Sequence, residues 1–263
     1  MKIEPRYYLS NGLKLLLQNR KRLLVPAILS AAASLLLSVH DWLPQNMQPA
    51  GIINNIVYFL LILGVIYLSL LAYAVVILVV KECLDSENSS LLRLYKESTK
   101  YVWPIFGYTV LFTIPTAFAA LLVMFLYIIV PYGFAKQWII MAGFLMLLMI
   151  FSFFNLVMIS VVIDFQSKKR LRRCIGLIKN NFVPVMLILI ISSIFVAIST
   201  SFMLFQSIEL SRSSVIISDV LYSLVQVFLV PFAAFAQIPL YRELKNRVNK
   251  LDSDQQQTAN EQI

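Results

Sequence analysis

Long apolar runs along this chain alternate with shorter stretches in which apolar and charged positions recur with a helical period. Three of these stretches open at a serine and run into a proline: Ser10 to Pro26, Ser90 to Pro104 and Ser167 to Pro184, with the prolines 78 and 80 residues apart. In the third, Leu171, Cys174, Ile175, Ile178 and Phe182 fall at i, i+3, i+4, i+7 and i+11, with Lys168, Lys169, Arg172, Arg173 and Lys179 on the other side. That is the period of an amphipathic helix, and Ser167 is placed to cap its first amides. In the second, Leu91, Leu94, Tyr95, Ser98 and Val102 oppose Arg93, Lys96, Glu97 and Lys100. In the first, Leu9, Leu13, Leu16 and Leu17 oppose Lys14, Gln18 and Lys21.

Each proline leads into two apolar runs, and a helix of about 20 apolar residues crosses roughly 30 Å of hydrocarbon. Six spans are predicted: Leu23 to Val39, Ile52 to Val80, Val102 to Val130, Trp138 to Ile163, Phe182 to Phe205 and Val215 to Leu240. The runs are continuous rather than alternating, which predicts helices and not barrel strands. The expected fold is therefore all-α and polytopic, with six transmembrane helices as three hairpins, each preceded by a cytoplasmic interfacial amphipathic helix. Residues 1–250 read as one membrane domain of three repeats, about 10–80, 89–163 and 167–240. The polar tail 251–263 has no hydrophobic period and is expected to be disordered.

A proline lacks an amide and disfavours helix in the residue before it, so each one is a place where an interfacial helix can end and a span begin at a new angle. The competing reading is that each lead-in continues into its span with proline in the first turn. Ile52 to Val80 has 29 residues, about 43 Å as helix, so it must tilt or project beyond the hydrocarbon. Ala31-Ala32-Ala33 offers small residues of the kind found at a leader cleavage site, but the amphipathic helix ahead of the first run argues for its retention.

The composition agrees with a bilayer. Hydrophobic residues make up 60% and charged residues 13%, with a mean hydropathy of +0.81, whereas soluble domains carry about 25% charged residues. Net charge is +9, and its distribution argues against nucleic acid as a partner. All Lys and Arg residues except Lys136 and Arg212 lie before the first span, between spans two and three, between spans four and five, or after the last. By the positive-inside rule both termini are cytoplasmic in a cell membrane, and the surplus charge meets anionic headgroups. Cys83 and Cys174 then face a reducing compartment, and no disulfide is expected.

Candidate chemistry is sparse. Asp219, Gln226, Val230, Ala233, Gln237 and Tyr241 share one face of the last span, beside Pro231, and Asn155 could meet them from span four and Ser193 with Thr200 from span five. Such a stripe is either a polar path through the membrane or a set of packing contacts between helices, and Asp219 reads as an interfacial carboxylate near the outer surface. The clusters Arg20, Lys21, Arg22 and Lys168, Lys169, Arg170, Arg172, Arg173 either bind acidic lipid or mark topology alone. His40 is the single histidine and there is no glycine-rich phosphate loop. No catalytic site, metal site or cofactor is expected.

Mitochondrial carriers also hold three two-span repeats, but they place an acidic residue two positions after the proline, where this chain has Ile28, Phe106 and Met186. Gly176-Leu-Ile-Lys-Asn-Asn-Phe-Val-Pro184, the lead-in helices and the exit Tyr241-Arg-Glu-Leu244-Lys245 carry a different resemblance. By these features the chain resembles the poorly characterised prokaryotic six-helix membrane family that includes the membrane domain of some glycerophosphodiester phosphodiesterases. The resemblance implies the architecture only, since no stretch of these residues is expected to form a soluble hydrolase domain. The expected function is that of a non-enzymatic scaffold or regulatory partner at the inner leaflet, docking lipid or another membrane or cytoplasmic protein. The alternative is a transporter or lipid-translocating protein with a path between the hairpins.

Overall fold

The computed structural model describes residues 3–42, 52–87, 89–130, 133–165, 170–179, 181–192 and 212–260. Among them the regular structure is entirely helical: α1 (Pro5–Trp42), α2 (Ile52–Asp85), α3 (Leu91–Ile129), α4 (Phe134–Ile163), α5 (Arg170–Lys179), α6 (Phe182–Ser192) and α7 (Arg212–Asn260). Four helices are long and apolar enough to cross a membrane, within Phe59–Asp85, Leu91–Ile129, Lys136–Ile163 and Asp219–Val248. The bent pair α5–α6 makes a fifth if it counts as one span. Where the sequence pattern predicts six spans, the described residues thus carry four or five. The fifth predicted run, 182–205, is described only as far as Ser192, and the first occupies the second half of α1.

The core gathers around the last turns of α2. Every residue from Ala74 to Val80 is buried, as expected of a helix that is apolar all round and enclosed by others. It touches α1, α3, α4 and α7. Leu156 to Val162 of α4 and Ala234 to Ile238 of α7 complete the layer. α2 stops where Ser86 takes a left-handed φ of 58° and the Glu87 amide donates to the Glu82 carbonyl at 2.9 Å. That wrapped bond satisfies an end carbonyl that would otherwise lack a partner. α3 then starts under the Ser90 hydroxyl, which accepts from the Arg93 amide at 3.4 Å.

The prolines do not all act as expected. α1 runs through Pro26 and α3 through Pro104 without a break. A proline costs one backbone bond, and helix on both sides packed against neighbours can absorb that loss. The third lead-in does end before its proline. α5, ending at Lys179, and α6, starting at Phe182, meet at 115°, and Pro184 lies in the first turn of α6, where its missing amide costs least. The polar residues 251–260, expected to be disordered, continue α7 as helix. Extending an existing helix needs no new nucleus.

The lead-in faces also shift. On α3 the expected Leu94, Ser98 and Val102 are buried, joined by Tyr101 and Ile105, so that face seats against protein. On α1, by contrast, Leu13 and Leu17 are exposed, and Tyr8, Gly12, Leu16 and Leu23 are buried. Gly12 explains the rotation. A Cβ there would lie 3.2 Å from the Ala236 nitrogen, so α1 and α7 cross nearly backbone to backbone. In α5, Cys174, Leu177 and Ile178 are buried, whereas Ile175 is exposed.

This crossing gives a test. Gly12→Leu is expected to destabilise the folded chain by about 1–3 kcal/mol through overpacking, read as a lower melting temperature in detergent. Gly176→Ala on the exposed face of α5, where the new methyl meets open space, should be neutral or stabilising by up to about 1 kcal/mol. Equal effects of the two would count against the close crossing.

Candidate functional site: a charged junction at one end of the bundle

α2 and α4 end in carboxylates, which the partial negative charge of a helix C-terminus disfavours. Cations from distant elements compensate. Arg22 of α1 pairs with Glu82 at 2.8 Å and also donates to the carbonyls of Glu87 at 3.3 Å and Ser89 at 3.1 Å. The Ser89 amide donates to the same Glu82 carboxylate at 3.2 Å. Arg242 of α7 grips Asp85 with two bonds, 2.6 and 2.9 Å, the forked geometry that guanidinium favours.

Asp164, the C-terminal cap of α4, accepts from the Tyr241 hydroxyl at 2.7 Å and from Lys245 at 2.5 Å, with Arg173 of α5 at 3.6 Å. Burial alone would push this carboxyl up. The hydrogen bonds from Lys245 and Tyr241, with the charges of Lys245 and Arg173, outweigh it and hold the group below the usual carboxylate range. On α7, Glu243 accepts from the Tyr8 hydroxyl of α1 and from Arg247. The junction therefore ties α1, α2, α4, α5 and α7 together by named polar contacts.

Of the basic residues singled out from the sequence, Arg22 and Arg173 enter this junction as structural partners. Arg20, Lys21 and Arg172 are exposed. Lys168 and Lys169 lie outside the described residues, as does Ser167, and the Arg170 side chain is not among those described. The polar stripe of the last span is split. Gln237 is 1% exposed and donates to the Ser192 hydroxyl of α6 at 2.7 Å. Asn155 accepts from the Tyr73 hydroxyl at 3.4 Å. Both thus join one helix to another, Gln237 reaching Ser192 of α6, the neighbour of the expected Ser193. Asp219, expected near the outer surface, is only 5% exposed, and Ser223 one turn on is buried too. The Gln226 side chain lies outside those described.

The acidic members of the junction were not anticipated, although the sequence holds a signal for them. Asp85, Asp164 and Glu243 stand 59, 60 and 59 residues after Pro26, Pro104 and Pro184, each just past an apolar run. Among the described residues no cluster of histidine, cysteine and carboxylate side chains has the makings of a metal site, and both cysteines are free thiols. Comparison of the chain with known protein families, with characterised proteins and with solved structures finds no match.

The Asp164 cluster sets a pH dependence. Its carboxyl has a lower pKa in the folded chain than unfolded, so its contribution is whole above the unfolded value of about 3.9 and is lost as pH falls through the folded one. The melting temperature is expected to fall with acidification below about pH 4. Asp164→Asn should cost about 2 kcal/mol at neutral pH and make the acid limb shallower. An acid limb of unchanged slope in the variant would sink the assignment.

Proposed function

We propose that the chain is a multi-pass protein of a cell membrane with both termini cytoplasmic, acting as a non-enzymatic scaffold or regulatory partner at the inner leaflet. In this reading the apolar runs make six spans in three repeated hairpins. The second half of α1 and the run that begins with α6 complete the set, and the likeness to the prokaryotic six-helix family belongs to the same proposal. The observation that carries it is the division of charge at the junction. Glu82, Asp85, Asp164 and Glu243 are held within the chain, whereas Lys14, Arg20, Lys21, Lys96, Arg172 and Lys179 remain exposed. With the carboxylates occupied, the exposed faces of α1, α3 and α5 present a cationic surface, worth about 1 kcal/mol per residue against acidic headgroups.

The amphipathic lead-ins serve this role as a rim packed on the bundle, rather than as helices detached in the interface. The engagement of Gln237 and Asn155 in bonds between helices favours packing over a continuous polar path. Burial of Asp219 with Ser223 is the observation that favours the second reading, a transporter or lipid-translocating protein, because a carboxylate inside a span is a common mark of a substrate route.

Copurification in mild detergent separates the two readings. The wild type is expected to retain acidic lipid or a polypeptide partner that a variant with Arg20, Lys21, Arg172 and Lys179 all changed to Gln loses. Equal recovery from both proteins would remove the support for the rim. A transport path would instead reveal itself in liposomes, where Gln226→Leu would abolish flux while leaving the melting temperature unchanged.

A further inference from the structure

A cleft of about 390 Å³ opens between the end of α2 and the start of α3, within the range of about 300–1,000 Å³ typical of small-ligand sites. Leu78 and Leu94 supply its apolar lining, and its other walls are charged. Two of its carboxylates are already committed: Glu82 to Arg22 at 2.8 Å and Glu97 to Lys100 at 3.1 Å. Lys81, Arg93 and Glu87 are left. None of these three side chains makes a hydrogen bond or ion pair among the described residues. Lys81 does act through its charge on Asp85, a carboxylate that Arg242 already grips.

Two cations and one anion thus line a concave site without neutralising one another. The cleft lies between the partially negative end of α2 and the partially positive start of α3, a setting for a ligand that carries both charges. Glu87 would repel a simple anion, and Lys81 and Arg93 a simple cation. A ligand carrying both charges satisfies all three.

We propose that this cleft binds a phosphate that carries a primary amine, a phosphoethanolamine group, with the phosphate on Lys81 and Arg93 and the ammonium on Glu87. Lysine and arginine give charge-assisted bonds to phosphate oxygens, and a primary ammonium donates to a carboxylate. A quaternary ammonium has no N–H to donate, and a glycerol group has no charge to offer. The group can come from a phospholipid headgroup or from a soluble ester. Lys81 directly follows the apolar run that ends at Val80, a position at headgroup depth, which favours the lipid. That preference rests on the inner-leaflet reading; the ligand chemistry does not.

The test uses the full chain in neutral detergent, with melting temperature followed against short-chain phosphatidylethanolamine, phosphatidylcholine and phosphatidylglycerol, and against soluble phosphoethanolamine. Phosphatidylethanolamine is expected to raise the midpoint at lower concentration than the other two lipids. Lys81→Gln and Arg93→Gln should each weaken that response about fivefold. Glu87→Gln should keep a response to phosphate and lose the preference among headgroups. All three positions lie outside the core, and the unliganded midpoints check that the variants are folded. A response to soluble phosphoethanolamine with none to the lipid would support the chemistry and overturn the lipid source. Equal responses to the three lipids with no response to the soluble compound, or three variants indistinguishable from wild type, would overturn the proposal. Failure to find a copurifying partner would count against the scaffold and leave this titration as it stands.

Discussion

Acidic side chains at the ends of apolar helices impose the constraint on which this architecture turns. Glu82 and Asp85 close α2, and Asp164 closes α4. Each stands where the helix already carries partial negative charge, so each needs a cation from elsewhere. Those cations come from α1 and α7, 60 to 157 residues away along the chain, and from the neighbouring α5. Apolar packing is non-directional; a forked bond such as that of Arg242 to Asp85 is not. The junction therefore supplies the register that the apolar layers alone would leave open, and it brings the first and last helices to the same end of the bundle.

Packing follows the same gradient. Beside the junction, Ala74–Val80, Leu156–Val162 and Ala234–Ile238 are enclosed. Away from it, Phe59, Leu60 and Leu61 on α2 and Ile114, Phe118, Leu121 and Phe125 on α3 stand exposed. A protein in water would not leave so much apolar surface uncovered. In a bilayer these faces meet acyl chains, and helix association must come from close packing and polar contacts between helices instead. The Gly12–Ala236 crossing and the Gln237–Ser192 bond are contacts of those two kinds.

Much of the helical content was legible because long apolar runs and a 3.6-residue period both outlast local ambiguity. The second lead-in showed which side chains would share a buried face, Leu94, Ser98 and Val102, but not that they would seat against protein rather than acyl chains. The first did not, since counting apolar residues gives no weight to a glycine that lets a neighbouring backbone approach. Proline was over-read for a similar reason. Its local cost is fixed, but whether a helix bends there depends on what holds the turns on either side, and Pro26 is buried inside a packed helix. The basic half of the junction was visible as clustered charge. Its acidic half was visible only as a spacing, and pairing such as Asp164 with Lys245 belongs to tertiary structure, which no local pattern encodes.

Arg22 connects the two regions of greatest chemical interest. One guanidinium neutralises Glu82, and it also holds the carbonyls of Glu87 and Ser89, the residues that shape the turn between α2 and α3. That turn carries the left-handed Ser86 and the Glu87 side chain lining the polar cleft. The seating of α1 and the form of the cleft therefore share one short segment of backbone. If the proposed ligand's bond to Glu87 shifts the segment that Arg22 clamps, then by reciprocity a shift of α1 that loosens Arg22 changes the affinity of the cleft. The same α1 residue lies four positions before Pro26, which leaves the Arg22 carbonyl without its usual helical donor. α1 thus lacks one backbone bond at the residue that pairs with Glu82, and the ion pair ties the helix to α2 at that point.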